Sequence, residues 1–417
     1  MKRVGILGGT FDPIHKGHIG LALAAKEQFN LDMMWIMPTH ISPHKQRESV
    51  TEDIHRLMMI ERSLPDESLE MNVMEFAREG KSFTSDTLTA LHREHPDGEW
   101  YYVMGEDSLR DFPRWHEPQT IASVARIPVA IREEDESRFA RLLEERNRQY
   151  NNAFLPLKVA YLPVSSTMLR SMLRNGEATD LITEGALSYI RRFGLYGLES
   201  TAIRPETMRR YRELVAQLSK KLSGHRISHC IGVAHLAADF MQEHEENAGN
   251  PASADGFYNS VQQAFLAGIL HDCAKYIPYR EYESICVQNN ISVSVSESVS
   301  PELLHAKVGA FFAKHEYGIN DPVILNAILK HCTGDVDMNP VELAVFTADF
   351  CEPFRDHRPL NHSLHSIRME GYKDLTKAAW MATDCTIQYL RAMDWSIDPK
   401  TIDVLNSLKE KTETITI

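Results

Sequence analysis

The chain changes its pattern of apolar and polar positions near residue 200. Before that point, short apolar runs alternate with longer amphipathic stretches. The runs Val4–Leu7, Met33–Met37, Trp100–Met104, Ile127–Ile131 and Val159–Tyr161 read as strands. Ile19–Phe29, Glu52–Leu64, Ser85–Glu94 and Ser137–Arg148 read as helices. Strands alternating with helices predict an α/β domain with a parallel sheet covered on both faces. After residue 200 the alternation stops. Apolar residues recur at helical spacing through Thr207–Leu222, Ile227–His244, Tyr258–His271, Glu302–His315, Val323–His331 and Val341–Phe350, which predicts an all-α second half. The expected domains are 1–198 and 207–417, joined by a linker at 199–206. Glu245–Gly256 is acidic and rich in Gly, Asn and Ala, as an exposed loop would be. Ser292–Pro301 alternates Val and Ser, but the serine bias and closing proline favour a surface loop over a strand.

Bulk composition narrows the class. A length of 417 residues suits two domains, and 43% hydrophobic content is ordinary for chains with proper cores. A formal charge of -13 argues against general binding to nucleic acid or to an anionic membrane. No run approaches the roughly 20 apolar residues of a membrane span, and no secretory leader is evident. The six cysteines are scattered through the second half with no C-x-x-C pair, as suits free thiols in a reducing compartment. A cytoplasmic location is the expectation.

One segment concentrates candidate chemistry. Val4–Leu7 runs into Gly8-Gly9-Thr10-Phe11-Asp12-Pro13-Ile14, and His15 and His18 follow at the start of the next helix. Glycines let a backbone approach an anion closely, and a helix N-terminus offers unpaired N–H groups and partial positive charge. Imidazoles there can donate to phosphate oxygens. The combination predicts a nucleoside triphosphate site at the carboxyl end of a strand, where parallel sheets bind ligands. Ser165-Ser166-Thr167 stands at a later helix start, with Arg170 in its first turn; such hydroxyls cap a helix or hold phosphate oxygens. In the second half, His271-Asp272 closes the apolar run Phe265–Leu270, a costly place for charge unless a metal or partner matches it. His229, His305, His331 and Asp349 are further candidate ligands in the surrounding helices.

The loop His15–His18 and the segment Ser165–Arg170 together resemble the nucleotidyltransferase superfamily of adenylyl- and cytidylyltransferases. Pro38–Lys45 (PTHISPHK), Lys81–Leu88 (KSFTSDTL) and Met104–Leu109 followed by Trp115-His116 are similar to elements of bacterial nicotinate-nucleotide adenylyltransferases. The likeness runs from Lys2 to about Gly197. It implies a Rossmann-like domain that transfers the adenylyl group of ATP to nicotinate mononucleotide, giving nicotinate adenine dinucleotide and pyrophosphate. On that likeness His15 and His18 hold the ATP phosphates and the charge developing on them. Gly8, Gly9, Thr10 and Phe11 line the nucleotide pocket. Ser165, Ser166, Thr167 and Arg170 steady the triphosphate, and Lys45 neutralises a phosphate. Thr84 and Trp115 receive the acceptor, the indole stacking on its pyridine ring. Gly105 and Asp107 come with their element, Asp107 on the ribose or adenosine side unless it merely caps a helix. His44, His55 and His116 read as surface or structural residues. Mg²⁺ is expected with ATP. Another phosphate acceptor, such as pantetheine phosphate, is the alternative.

In the second half, HDCAK (His271–Lys275), LLHAKVGA (Leu303–Ala310), HCTG (His331–Gly334) and ADFCEPFR (Ala348–Arg355) resemble the HD-domain symmetrical bis(5′-nucleosyl)-tetraphosphatases, from about Met208 to Ile397. The resemblance implies a dinuclear centre held by His229, His271, Asp272, His305, His331 and Asp349, with Asp272 bridging. Such donors suit iron, with manganese the alternative. Lys275, Glu352 and Arg355 would contact the substrate, diadenosine tetraphosphate, which is cleaved to two ADP. A hydrolase of another nucleotide, or a noncatalytic nucleotide sensor, is the alternative. No nucleic acid or membrane partner is expected, and a homo-oligomer stays open.

Overall fold

The computed structural model describes residues 2–41, 50–78, 80–131, 136–160, 162–177, 179–249, 255–355 and 363–414. They fall into two compact units, Met1–Glu199 and Ser200–Ile417.

The first unit is built on six strands: β1 (Arg3–Gly9), β2 (Met33–Pro38), β3 (Glu70–Met71), β4 (Glu99–Gly105), β5 (Ala125–Ala130) and β6 (Phe154–Leu157). All described pairings are parallel, and the order is β3-β2-β1-β4-β5-β6. The helices are α1 (Lys16–Gln28), α2 (Asp53–Glu61), α3 (Thr84–Glu94), α4 (Glu106–Asp111), α5 (Pro118–Val124), α6 (Glu136–Gln149), α7 (Ser166–Arg174) and α8 (Glu184–Phe193). Parallel strands are buried on both faces and so read as nearly continuous apolar runs. Ile6, Leu7, Met34, Ile36, Val103 and Ile127 are accordingly buried. The strand order reverses between β1 and β4. Gly8-Gly9 and Gly105 end those two strands and place the loops there at the switch point.

Four of the five expected strands form where expected; the fifth is displaced. The last strand is Phe154–Leu157, paired with Ile127–Ala130, while Val159–Ala160 continue as irregular chain. Phe154 and Leu157, which point to opposite faces, are both buried, and an edge strand tolerates Pro156 because one of its sides needs no donor. The short strand β3 adds an edge that hydrophobic periodicity does not signal.

The second unit is helical: α9 (Pro205–Leu218), α10 (Gly224–Asn247), α11 (Asp255–Leu270), α12 (Tyr282–Gln288), α13 (Val295–Val299), α14 (His305–His315), α15 (Pro322–Lys330), α16 (Pro340–Cys351), α17 (Leu364–Gly371), α18 (Leu375–Ala392) and α19 (Pro399–Thr414). The first of these helices starts at Pro205, within the stretch expected as a linker. The Val/Ser segment is a short helix rather than the expected loop. Ser294 and Glu297 close a reciprocal capping box around α13, leaving Val295 and Val299 exposed. Helix α10 is central, packing on α11 and α16. Its approach to α11 depends on Gly268, where an added Cβ would lie 2.5 Å from the Cα of Ala234 and 2.7 Å from its nitrogen.

That contact can be tested. Gly268→Ala forces α10 and α11 apart and should cost about 1–3 kcal/mol, as core overpacking does. Gly224→Ala, where nothing lies within 4 Å of the added carbon, should be neutral. Denaturant unfolding of both variants measures the difference.

Candidate functional site

In the first unit the helices α1 and α7 both begin at the switch point. His15 precedes α1, and its backbone N–H donates to Nδ1 of His18 at 3.3 Å. That bond fixes the His18 proton on Nε2, making this nitrogen a donor. The two rings stack, with centroids 3.6 Å apart and planes at 21°. Burial holds the His15 imidazole down at about 4, so it is neutral at physiological pH. Its Nδ1 is buried without a hydrogen-bond partner. Gly17 between them is a packing necessity: a Cβ there would lie 2.9 Å from Val164 Cγ1 and 3.1 Å from the His15 ring.

These groups line a cavity of about 510 Å³ together with Gly8, Gly105, Trp115 and Ser165. Ser165 caps α7 by accepting from the Met168 N–H. The other members of that segment face the loop between β1 and α1. Ser166 Oγ donates to the Pro13 carbonyl at 2.9 Å, and Arg170 Nη1 donates to the Asp12 carbonyl at 2.6 Å. Arg170 also donates to Thr167 Oγ1 at 3.3 Å. Phe11 is buried with φ 52°, and its ring meets that of His18 edge-on. Asp107 stands apart, largely exposed and 3.4 Å from Arg110. Lys45 and His44 lie outside the described residues.

A second cavity of about 420 Å³ adjoins the first, sharing Gly8, Tyr102 and Trp115 with it and adding Gly9, Thr10 and Thr84. Thr84 opens α3, and its hydroxyl donates to Tyr102 Oη at 3.3 Å. Burial pushes the Tyr102 phenol up to about 12, so it stays protonated. Trp115 packs edge-on against Tyr102. Tyr102 and Glu75, which also lines this cavity, were not singled out by the sequence. Both lie in apolar surroundings that read as core, and only their place beside Thr84 marks them.

In the second unit the six expected ligands converge. Asp272 is 1% exposed in its side chain, and its two oxygens face different histidines. Oδ2 lies 3.5 Å from His271 Nε2 and 3.7 Å from His229 Nε2. Oδ1 lies 3.5 Å from His305 Nε2 and 3.6 Å from His331 Nε2. Asp349 Oδ1 completes the first group, 3.0 Å from His229 Nε2 and 3.5 Å from His271 Nε2. The far nitrogens are tied down. Nδ1 of His271, His305 and His331 donates to the carbonyls of Gly268, Glu302 and Ile328 at 2.7, 2.6 and 2.7 Å. Each Nε2 is thereby the lone-pair nitrogen, the tautomer a metal ligand requires.

Without a metal ion, burial disfavours a charged His271, but Asp272 and Asp349 outweigh it and push it up to about 10, so that a proton takes the Nε2 position a metal would otherwise hold. The same pairing holds both carboxyls well below their usual range against their own desolvation. His305 is pushed down to about 3 by burial and by Lys275. Asp272 Oδ1 is buried without a hydrogen bond, and cations approach its carboxylate: Lys275 Nζ at 3.2 Å from Oδ1 and Arg226 Nη1 donating to Oδ2 at 2.7 Å. Imidazoles of fixed tautomer around carboxylates that demand positive charge fit divalent metal. His229, His271 and Asp349 form one group able to hold an ion, and His271, Asp272 and His331 another.

Glu352 is not on the substrate side. It is 2% exposed, accepts from the Phe354 N–H at 2.6 Å and lies 3.2 Å from His229 Nδ1, so it orients that ligand. Arg355 lines a cavity of about 250 Å³ beside the cluster with His331, Cys332, Asp349 and Tyr389. Arg226, which sequence reading passed over, belongs to the cluster through Asp272.

A parallel sheet with two helix N-termini and paired imidazoles at its switch point defines a nucleotidyltransferase; the helical unit with its His/Asp cluster defines an HD domain. Residues 6–172 match the cytidylyltransferase-like family and residues 226–353 the HD domain. A relative in Lachnoclostridium phytofermentans, named "Probable nicotinate-nucleotide adenylyltransferase", is 36% identical over 199 residues, 47% of this chain and 100% of its own length. The nicotinate-nucleotide adenylyltransferase of Bacillus subtilis is 32% identical over 201 residues, 47% of this chain and 99% of its own. Over about half its length, therefore, the chain belongs to the nicotinate-nucleotide adenylyltransferase family. A Clostridium acetobutylicum structure described as a predicted HD superfamily hydrolase involved in NAD metabolism is 27% identical, covering 48% of this chain and 97% of its own at a TM-score of 0.42.

The His229–Glu352 contact generates a test. Glu352→Ala should lower metal affinity about 10–100-fold, as loss of a ligand's hydrogen-bond partner typically does. Competition with a chelator reads the change; unchanged affinity would assign Glu352 to another role.

Proposed function

We propose that the first unit transfers the adenylyl group of ATP to nicotinate mononucleotide and that the second hydrolyses dinucleoside polyphosphates, diadenosine tetraphosphate to two ADP. The observation that carries the first half is the pair of adjoining cavities meeting at Gly8, Tyr102 and Trp115. One offers helix N-termini and imidazoles to a triphosphate; the other offers Thr84 and the Trp115 indole to a pyridine nucleotide. An acceptor phosphate oxygen attacks the α-phosphorus, the bond to the bridging oxygen breaks, and pyrophosphate leaves. No covalent enzyme intermediate is needed. Catalysis is then positioning plus charge stabilisation. His18 donates from Nε2 to the phosphates, and neutral His15 does so without the cost of a buried charge. Arg170 acts mainly by holding the loop through the Asp12 carbonyl. Mg²⁺ accompanies ATP on phosphate oxygens and water.

The second half is supported by Asp272, whose two oxygens each face two histidine nitrogens. When bound, divalent ions supply Lewis acidity and a nucleophile at neutral pH; iron is the proposed metal. Lys275 pairs with Asp272 at 3.2 Å and Arg355 with Asp349 at 3.4 Å, which supports a role for both cations in meeting substrate phosphate beside the cluster.

Two variants separate the activities. His18→Ala should lower adenylyl transfer by about 10²–10³-fold, the scale of one lost charge-stabilising donor, and leave tetraphosphate hydrolysis unchanged. Asp272→Asn should abolish hydrolysis and spare adenylyl transfer. Assaying both reactions on each full-length variant decides the matter. A metal-loaded wild-type protein inert toward diadenosine tetraphosphate would sink the second assignment alone.

A further inference from the structure

The acceptor cavity contains a group that the reaction above does not use. Glu75 lines it and is 7% exposed. One oxygen, Oε1, accepts from Thr87 Oγ1 at 3.0 Å. The other, Oε2, is buried without a hydrogen-bond partner. A carboxyl so placed costs several kcal/mol if charged and unmatched, so a ligand or a proton must complete it.

The surroundings favour the proton. Burial pushes the Glu75 carboxyl up, against the hydrogen bond from Thr87, the nearby Ser82 hydroxyl and the positive charge of Arg78. Near it are His40 after β2 and Tyr102 on β4, and Arg114 and His116 line the same cavity. Tyr102 is itself buried and stays neutral. An added Cβ on Gly8 would lie 2.5 Å from its hydroxyl, so the phenol reaches the strand end where the two cavities join. Glu75, Thr84 and Tyr102 thus bring carboxyl and hydroxyl groups to the cavity that Trp115 also lines, its ring edge-on to that of Tyr102.

Resting on the acceptor assignment made above, we propose that Glu75 is a specificity-determining residue that donates its proton to the carboxylate of the acceptor's pyridine ring. A neutral carboxylic acid pairs with a carboxylate through one short O–H···O⁻ bond. An ionised one would place two negative charges side by side. The acid thus discriminates an acceptor bearing a carboxylate from one bearing an amide by its own protonation state.

The test is steady-state kinetics of the full chain with nicotinate mononucleotide and nicotinamide mononucleotide from about pH 5 to 9, starting close above the ordinary carboxyl range from which Glu75 is raised. For the wild type, KM for the carboxylate acceptor should rise by up to about tenfold per pH unit once Glu75 ionises, with kcat moving little. KM for the amide acceptor should stay flat, which removes titration of the shared phosphate as the cause, while the loss of the rise in the Glu75→Gln variant separates Glu75 from His40 and His116. Glu75→Gln keeps a neutral donor and should abolish the rise. A variant that fails to fold loses both acceptors together, and the wild-type profiles then decide alone. Turnover of the carboxylate acceptor with a flat wild-type KM, or a rise that persists in folded Glu75→Gln, would overturn this inference and leave the acceptor assignment standing. Absence of turnover with either acceptor would overturn the acceptor assignment and this inference with it.

Discussion

Asp272 sets the terms for the helical unit. A carboxylate with 1% of its side chain exposed is unfavourable unless positive charge or donors reach it from within. Arg226 and Lys275 do so here, one to each oxygen, and imidazole nitrogens line both of its edges, two to each oxygen, where a shared cation would be held. Three of those rings are fixed by carbonyls three positions earlier in the chain, Gly268 for His271, Glu302 for His305 and Ile328 for His331. Such a carbonyl at a helix end lacks its usual partner. His271 after α11 and His331 after α15 therefore satisfy their helices and are aimed by them in one stroke, while His305 opens α14 and bonds back to the turn before it. Everything upstream, from the apolar packing of α10, α11 and α15 to the close approach at Gly268, serves to bring those helix ends to one point.

The first unit meets the same difficulty with the opposite means. It must hold a polyanion, and it gathers neutral donors instead of charged ligands. His15 is kept uncharged by burial, and the helix N-termini contribute partial charge that needs no counter-ion. The loop between β1 and α1 is then held from several sides. Arg56 donates to the Thr10 carbonyl at 2.9 Å, Arg170 to that of Asp12 at 2.6 Å, Ser166 to that of Pro13 at 2.9 Å, and Tyr196 to Asp12 Oδ1 at 2.7 Å. Arg170 and Ser166, which the sequence suggests as direct phosphate ligands, spend these bonds on the backbone. Preorganisation of the loop is what they supply.

Much of this was legible because the decisive residues sit in continuous segments. Gly8 to His18 is one run of chain, and the alternation around it specifies a parallel sheet. The HD ligands are dispersed, yet His271, Asp272, His305 and His331 stand at the ends of helices and His229 and Asp349 within them, each in an apolar context that marks it. What escaped was whatever depends on two distant segments meeting. Tyr102 reads as an ordinary strand residue until Thr84 arrives 18 positions earlier in sequence to bond it. Arg226 is a charge near a helix start until Asp272 folds against it. Strand β6 falls at Phe154–Leu157 and not at the similarly apolar Val159–Tyr161, a choice made by pairing with β5 and not by periodicity; Tyr161 itself lies outside the described residues. The α13 helix was missed because its capping box is a local hydrogen-bond pattern that a Val/Ser alternation disguises.

Glu75 and Glu352 show why burial alone does not reveal a role. Both are acidic, both are under 10% exposed, and neither belongs to an apolar stripe that would advertise it. Glu352 has both oxygens engaged, one by a backbone N–H and one beside an imidazole, so its charge is answered within the fold. Such a carboxylate orients something else. Glu75 has one oxygen engaged and the other orphaned at a cavity wall. The fold has left that oxygen to be answered from the cavity. The distinction lies in the count of satisfied lone pairs, a quantity set by tertiary contacts that neither composition nor periodicity encodes.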